Sequence, residues 1–348
     1  MRPGVVFAIP GDLQTLTGGY AYDRRIIAEL GDAGILVEHL ELPAGFPNPS
    51  AEERAETAAL FSALADGTTV FVDGLAFGVL DDVAAREAGR LDLVALVHHP
   101  LADESGLDET ARRRLEASEA AALAMARAVI VTSPATARTL EERFGVEAAR
   151  ITIAEPGCEG SGRAALDGRP PVVLSVGTFV YRKGHDVLIE ALARLADIDW
   201  RCRIVGANDR STETTADLRR RIEAHGLRER IVLVAEAWDI GVEMRGADVF
   251  TLATRHEGYG MVFAEAMVHG LPIVGTHVGA VPDVVPPKAG RLVPPDDPTA
   301  LADALGELLR DPAERRRLGD GAFEAARDLP SWAASAAKIG AVLKAEDR

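Results

Sequence analysis

A chain of 348 residues, 47% apolar and 26% charged, has the balance of a globular protein and exceeds what one core usually organises, so two domains are expected. Its 54 acidic against 38 basic residues give a formal net charge of −16, which repels polyphosphate backbones and argues against nucleic acid as a partner. Two distant cysteines, Cys158 and Cys202, supply neither a disulfide framework nor a metal-ligand spacing.

The first apolar run, residues 5–9, is too short for a signal-peptide core, and no later run reaches membrane-spanning length; a cytoplasmic location is expected. Further short runs follow at 35–40, 70–73, 93–97, 129–132 and 151–154, then at 172–176, 202–205, 231–234, 249–253, 273–276 and 291–293. Helical patterns stand between them, at 20–30, 109–128, 187–195, 215–224 and 262–268. Apolar strands alternating with helices predict parallel sheets covered on both faces. The turn-rich Asp167-Gly168-Arg169-Pro170-Pro171 reads as a linker. The expected fold is α/β: two doubly wound Rossmann-like domains, residues 1–168 and 169–329, with a cleft between their carboxyl-edge loops. A last helix, 330–345, is expected to return to the first domain. Ligands of such sheets bind at the carboxyl edges, so the loops after strands are where chemistry belongs.

Four of those loops stand out. Glu257-Gly258-Tyr259-Gly260-Met261-Val262-Phe263-Ala264-Glu265 puts a Gly-x-Gly turn at a helix start between two carboxylates. The glycines let backbone amides approach a diphosphate, Glu265 can accept ribose hydroxyls, and Glu257 can reach the sugar beyond. The plain alternative is a capped helix with solvated or salt-bridged glutamates. Gly177-Thr178-Phe179-Val180-Tyr181-Arg182-Lys183-Gly184 sets adjacent cations between glycines, an anion site in an acidic protein or an ordinary basic turn. Thr17-Gly18-Gly19-Tyr20 opens a helix where a phosphate or sugar could come close, or where the chain only turns. His98-His99-Pro100 ends a strand, and a histidine there can meet a sugar hydroxyl, offset developing charge or serve the core.

Residues 257–274 resemble the E-G-[FY]-G-x4-E block and following turn of retaining family 4 glycosyltransferases, and residues 177–184 resemble that family's G-x4-R-K-G loop. The resemblance implies the GT-B arrangement, with an acceptor-side first domain and a nucleotide-sugar-binding second domain. It implies Glu265 on the ribose and Glu257 on the donor sugar. The amides around Gly258, Tyr259, Gly260, Met261 and Val262 fall near the diphosphate, with Gly177, Gly18 and Gly19 also on the donor. Arg182 and Lys183 fall on the leaving diphosphate, and His98 faces the donor sugar. The activity implied is hexosyl transfer from a nucleotide-sugar, UDP-linked before GDP-linked, to an unidentified acceptor. Retention of configuration is implied, with no cofactor and no metal. A sugar-nucleotide epimerase or phosphorylase, or a non-catalytic binding protein, are the rivals.

Other features point away from further sites. No strand-end carboxylate pair stands out to hold a cation. Asp197-Ile198-Asp199 precedes a strand and so belongs to the wrong edge. Arg112-Arg113-Arg114 opens a helix diluted by Asp108, Glu109, Glu116 and Glu119, which disfavours membrane docking. Residues 236–246 look shorter than the family's segment. Thr254-Arg255-His256 replaces a common Pro-Ser pair, and Gly279-Ala280 a common Gly-Gly.

Overall fold

A computed structural model describes residues 4–15, 17–104, 106–160, 162–207, 212–235 and 239–345. They form two compact units: residues up to Gly157 together with those from Pro330, and Cys158–Leu329.

The first unit holds β1 (Val5–Pro10), β2 (Val37–Leu42), β3 (Thr69–Asp73), β4 (Asp92–Val97), β5 (Ala128–Val131) and β6 (Ile151–Ile153). They pair in parallel in the order β2-β1-β3-β4-β5-β6. The second holds β7 (Val172–Val176), β8 (Arg201–Val205), β9 (Ile231–Val234), β10 (Val249–Leu252), β11 (Ile273–Thr276) and β12 (Gly290–Val293), again parallel, in the order β12-β11-β10-β7-β8-β9. Every predicted strand is present. The Val, Ile, Leu and Phe runs of the inner strands, such as β1, β3, β4, β5, β7, β10 and β11, are buried because helices cover both faces, as parallel sheets require, while β2, β6 and β9 at the edges are partly exposed.

Strand order sets the place of the sites. In the second sheet the chain starts at β7, winds outward through β8 and β9, then crosses to β10 on the other side of β7. The loops after β7 and β10 therefore diverge at a switch point, where an open sheet leaves a crevice. The first sheet has the same break between β1 and β3.

The unit boundary falls at Gly157/Cys158, not at the expected 168/169, because the segment taken as a linker is tied into the second unit. Buried Asp248 accepts from Gly168 N at 2.9 Å and Val172 N at 2.7 Å, Ala164 N donates to His269 O at 2.9 Å, and Leu166 enters the core. The helix Trp332–Lys344 belongs to the first unit. Trp332 packs 5.7 Å from Tyr22, Ser335 donates to Glu155 O, and Lys338 Nζ donates to Ile153 O at 3.0 Å. Cys202 is buried and Cys158 half-buried, and both are free thiols. Among the described residues no helix is long and apolar enough to cross a membrane.

Candidate active site

The loop after β7 ends in a 3-10 turn, Tyr181–Lys183, and Gly184 then starts the helix His185–Ala193. Gly184 has φ +67°, and a Cβ on it would stand 1.8 Å from Ala253 O, so the basic turn lies flat on the end of β10. Arg255 N donates to Arg182 O at 2.8 Å and Thr254 Oγ1 to the same carbonyl at 3.1 Å, completing that seam. Beneath the turn, His185 is buried. Burial pushes its ring down to about 4, so it is neutral and donates from Nε2 to Gly177 O at 3.1 Å.

This seam brings the predicted charges together. Lys183 Nζ donates to Glu257 Oε1 at 2.6 Å, and Arg182 Nη1 lies 3.8 Å from the same oxygen while donating to His256 O at 3.0 Å. The stem of Lys183 runs over Gly177, where a Cβ would come within 3.2 Å of Lys183 Cδ. Burial alone would raise the Glu257 carboxyl, but the charges of Lys183 and Arg182 outweigh it and hold the group below its ordinary value. Two cations thus converge on one carboxylate oxygen. Gly279, φ +50°, packs its α-carbon on Glu257, for a Cβ there would lie 2.2 Å from Glu257 O; Ala280 N donates to that oxygen at 3.0 Å. Glutamate, lysine and arginine are thus held by backbone on three sides.

Arg255, unassigned from the sequence, clamps the same turn. Its guanidinium bonds Asp186 through two nitrogens at 3.0 and 2.9 Å, Asp296 at 2.7 Å and Tyr181 O at 2.5 Å, and lies 3.7 Å over the Tyr181 ring. Only a planar, five-donor cation can fill all these places. Arg255 lies within the Thr254-Arg255-His256 segment that departs from the family pattern.

The helix Met261–Val268 follows from Gly260, which offers no capping side chain; Phe263 N donates back to Gly260 O at 2.9 Å, and the amides of Met261 and Val262 have no side-chain cap. One turn on, Glu265 is half-buried, and burial pushes its carboxyl up to about 7, with no cation among the described residues to offset it. An ionised Glu265 therefore gains from any donor of two hydroxyl hydrogen bonds.

In the first unit, Thr17 caps the helix Gly18–Asp32 by accepting from Tyr20 N at 3.3 Å. Gly19 lies against His98: a Cβ on it would be 3.5 Å from both Cδ2 and Nε2 of that ring. His98 Nε2 is 3.4 Å from Asp23 Oδ1 and 3.6 Å from Asp73 Oδ2. Asp73 ends β3, so a strand-end carboxylate does have a carboxylate partner, contrary to the sequence reading; Asp23 sits 50 residues earlier on a helix, out of reach of any local motif. These three groups could hold a metal ion. His99 turns the other way and bonds Glu104 at 2.7 Å.

Elsewhere, Asp197 and Asp199 are exposed ahead of β8, with Asp197 3.2 Å from Arg310. Glu119 is buried and accepts from Leu101 N at 2.9 Å, so it does not dilute the arginine-rich face as expected. Of the 236–246 segment, residues 236–238 lie outside the described residues; the helix Ile240–Arg245 follows.

Residues 161–325 match the profile of glycosyl transferases group 1, and residues 10–157 that of a glycosyl transferase 4-like domain. The D-inositol 3-phosphate glycosyltransferase of Corynebacterium glutamicum is 30% identical over 284 residues, 74% of this chain and 67% of its own length. The MMP alpha-(1->4)-mannosyltransferase of Mycolicibacterium hassiacum is 28% identical over 278 residues, 72% of this chain and 64% of its own. Among solved structures, sucrose-phosphate synthase from Thermosynechococcus elongatus superposes with a TM-score of 0.81 at 23% identity, covering 97% of this chain and 98% of that one. Anabaena HepE in complex with UDP-glucose gives 0.77 at 19% identity, covering 97% and 99%. With both profiles, this similarity and two parallel six-stranded sheets in agreement, the chain belongs to the GT-B glycosyltransferases of family 4 type.

Proposed function

We propose that this glycosyltransferase moves a hexosyl group from a nucleotide-sugar, UDP-linked in preference to GDP-linked, to an acceptor hydroxyl with retention of configuration. The observation that carries the reading is the Lys183–Glu257–Arg182 cluster at the switch point of the second sheet. Its two cations are preorganised for an oxygen that becomes more negative as the donor's carbon–oxygen bond breaks. Lys183, Arg182 and the amides of Met261 and Val262 offset charge on the departing diphosphate. Glu257 holds Lys183 in place and meets the sugar. Gly18, Gly19 and His98 of the first unit are assigned to the donor's phosphate and sugar. The departing phosphate takes the acceptor's proton on the face it leaves, which retains configuration without a second carboxylate for double displacement.

A thermal-shift screen of nucleotide-sugars, followed by incubation of the best donor with acceptor pools and NMR of the product, tests the reading. An axial donor should give an axial product; inversion, or isomerised donor with no transfer, would overturn it. Because Lys183 and Arg182 supply the charge, transfer should need no divalent cation, and activity in excess EDTA should match the untreated rate. A loss repaired only by manganese or magnesium would count against that chemistry.

Glu265 makes a third expectation. Its role on the ribose is the same in ground and transition states, so Glu265→Ala should raise donor KM with kcat little changed. The unliganded carboxyl is protonated below about 7, and its ionised form accepts the ribose hydroxyls. Affinity for a nucleotide-sugar, whose diphosphate diester does not titrate there, should therefore tighten about tenfold from pH 6 towards pH 8. Calorimetry on Glu265→Gln should show a flat profile; a slope equal to the wild type would remove Glu265 from the ribose.

A further inference from the structure

His98 leaves β4 with its ring edge-on to Tyr22, centroids 5.3 Å apart, and its carbonyl fixed by Thr132 Oγ1 at 3.2 Å and Thr136 Oγ1 at 3.3 Å. The ring's two nitrogens are in unlike surroundings. Nε2 is shielded from solvent between Asp23 Oδ1 at 3.4 Å and Asp73 Oδ2 at 3.6 Å. Asp23 is wholly buried, and neither of its oxygens accepts a hydrogen bond. Asp73 is buried too, and its Oδ1 is committed to Leu75 N at 2.8 Å, which leaves only Oδ2 for the ring. Yet the His98 side chain as a whole is 21% exposed, so its exposure falls away from Nε2.

We propose that Asp23 and Asp73 are positioning residues for His98: their carboxylates flank Nε2 and fix the ring by charge, and they thereby make Nδ1 the nitrogen that hydrogen-bonds a hydroxyl of the bound substrate. This rests on the transferase reading above. A carboxylate on one nitrogen of an imidazole decides what the other can do. Here each carboxylate comes from a different element, the helix Gly18–Asp32 and the end of β3, so the ring is fixed in rotation. Gly19, with no side chain, keeps the backbone close to the ring without displacing it. The charged and titratable groups packed around it are Tyr22, Asp23 and Arg24 on that helix and Asp73 on β3. Burial disfavours the charged ring, but the two aspartates outweigh it and push His98 up to about 10. With Nε2 enclosed by the two carboxylates, Nδ1 is the ring nitrogen left to meet a substrate oxygen.

The test uses the full chain. His98 resonances are identified by their absence in His98→Gln, and the ring is titrated by long-range nitrogen–proton NMR in the wild type, Asp23→Asn and Asp73→Asn. The wild-type ring should titrate above the ordinary imidazole range. Each asparagine should lower its titration by about one unit or more, as loss of a close opposite charge does. Each should also cut transfer about tenfold or more, and neither should add to the loss in a double variant with His98→Gln. Asp73→Asn keeps the helix cap, so it serves if Asp23→Asn melts. A wild-type ring titrating near 6.5, or asparagine variants with unchanged titration and rate, would overturn the proposal. So would stoichiometric metal in the purified protein that Asp23→Asn removes, since the same three groups could ligate an ion. If no nucleotide-sugar is turned over, the transferase reading fails while the NMR still decides the grip on Nε2.

Discussion

Lys183→Ala should lower kcat about 100-fold or more at saturating donor, the scale for losing one preorganised charge-stabilising donor. The oxygens that Lys183 is assigned to meet gain charge only as the bond breaks, so the loss belongs in kcat and much less in KM. Stability should fall as well. Lys183 and Glu257 are 2.6 Å apart with side chains 14% and 7% exposed, and removing the lysine leaves the carboxylate with Arg182 alone at 3.8 Å. Stranding one partner of a buried pair typically costs about 3–5 kcal/mol, reduced here by the remaining arginine. Lys183→Ala combined with Glu257→Gln should therefore recover melting temperature without recovering kcat. That split separates the chemical role from the structural one. Steady-state kinetics with melting curves decides it, and wild-type kcat in folded Lys183→Ala would remove the basic turn from the leaving-group site.

Gly184→Ala should destabilise the protein by about 4 kcal/mol, at the upper end for a single substitution, and lower Tm by roughly 10 °C. The residue combines a left-handed φ of +67° with a backbone oxygen, Ala253 O, 1.8 Å from where Cβ would sit. That oxygen closes β10 and cannot swing aside like a side chain. Gly226 provides the control, because it has the same φ of +67° and nothing within 4 Å. Gly226→Ala should pay only the backbone strain, on the order of 1 kcal/mol. Equal melting temperatures for the two alanine variants would mean that the basic turn is not seated on β10. Transfer should also fall in Gly184→Ala, since displacing the turn by an ångström carries Lys183 and Arg182 away from Glu257.

The parts of this protein that read directly from its amino acids are those governed by local rules. Continuous apolar runs such as residues 172–176 and 249–253 announce parallel strands, because only a sheet buried on both faces wants them. The pairing of Gly-x-Gly with Glu257 and Glu265, and of Arg182-Lys183 with flanking glycines, is written in short segments. The charges of those segments could be assigned before any contact was known. The boundary at residue 157 was not legible in the same way. Pro170 and Pro171 look like a linker locally, but buried Asp248, 77 residues beyond Pro171, secures the segment to the second unit.

Distance along the chain also hid the supporting groups. Arg255 reads as a departure from a family pattern until Asp186, Asp296 and the Tyr181 ring are seen around its guanidinium. Asp23 and Asp73 look like ordinary helix and strand-end carboxylates until strand order puts both beside His98. Sequence alone thus determined which elements form and which loops carry chemically useful groups, since secondary structure and loop composition depend on neighbours a few residues apart. Tertiary structure decided which of those groups share a charge, which nitrogen of His98 is buried and which glycine cannot be replaced. Burial and partner distance are properties of the packed chain, and they are what convert a list of polar residues into a site.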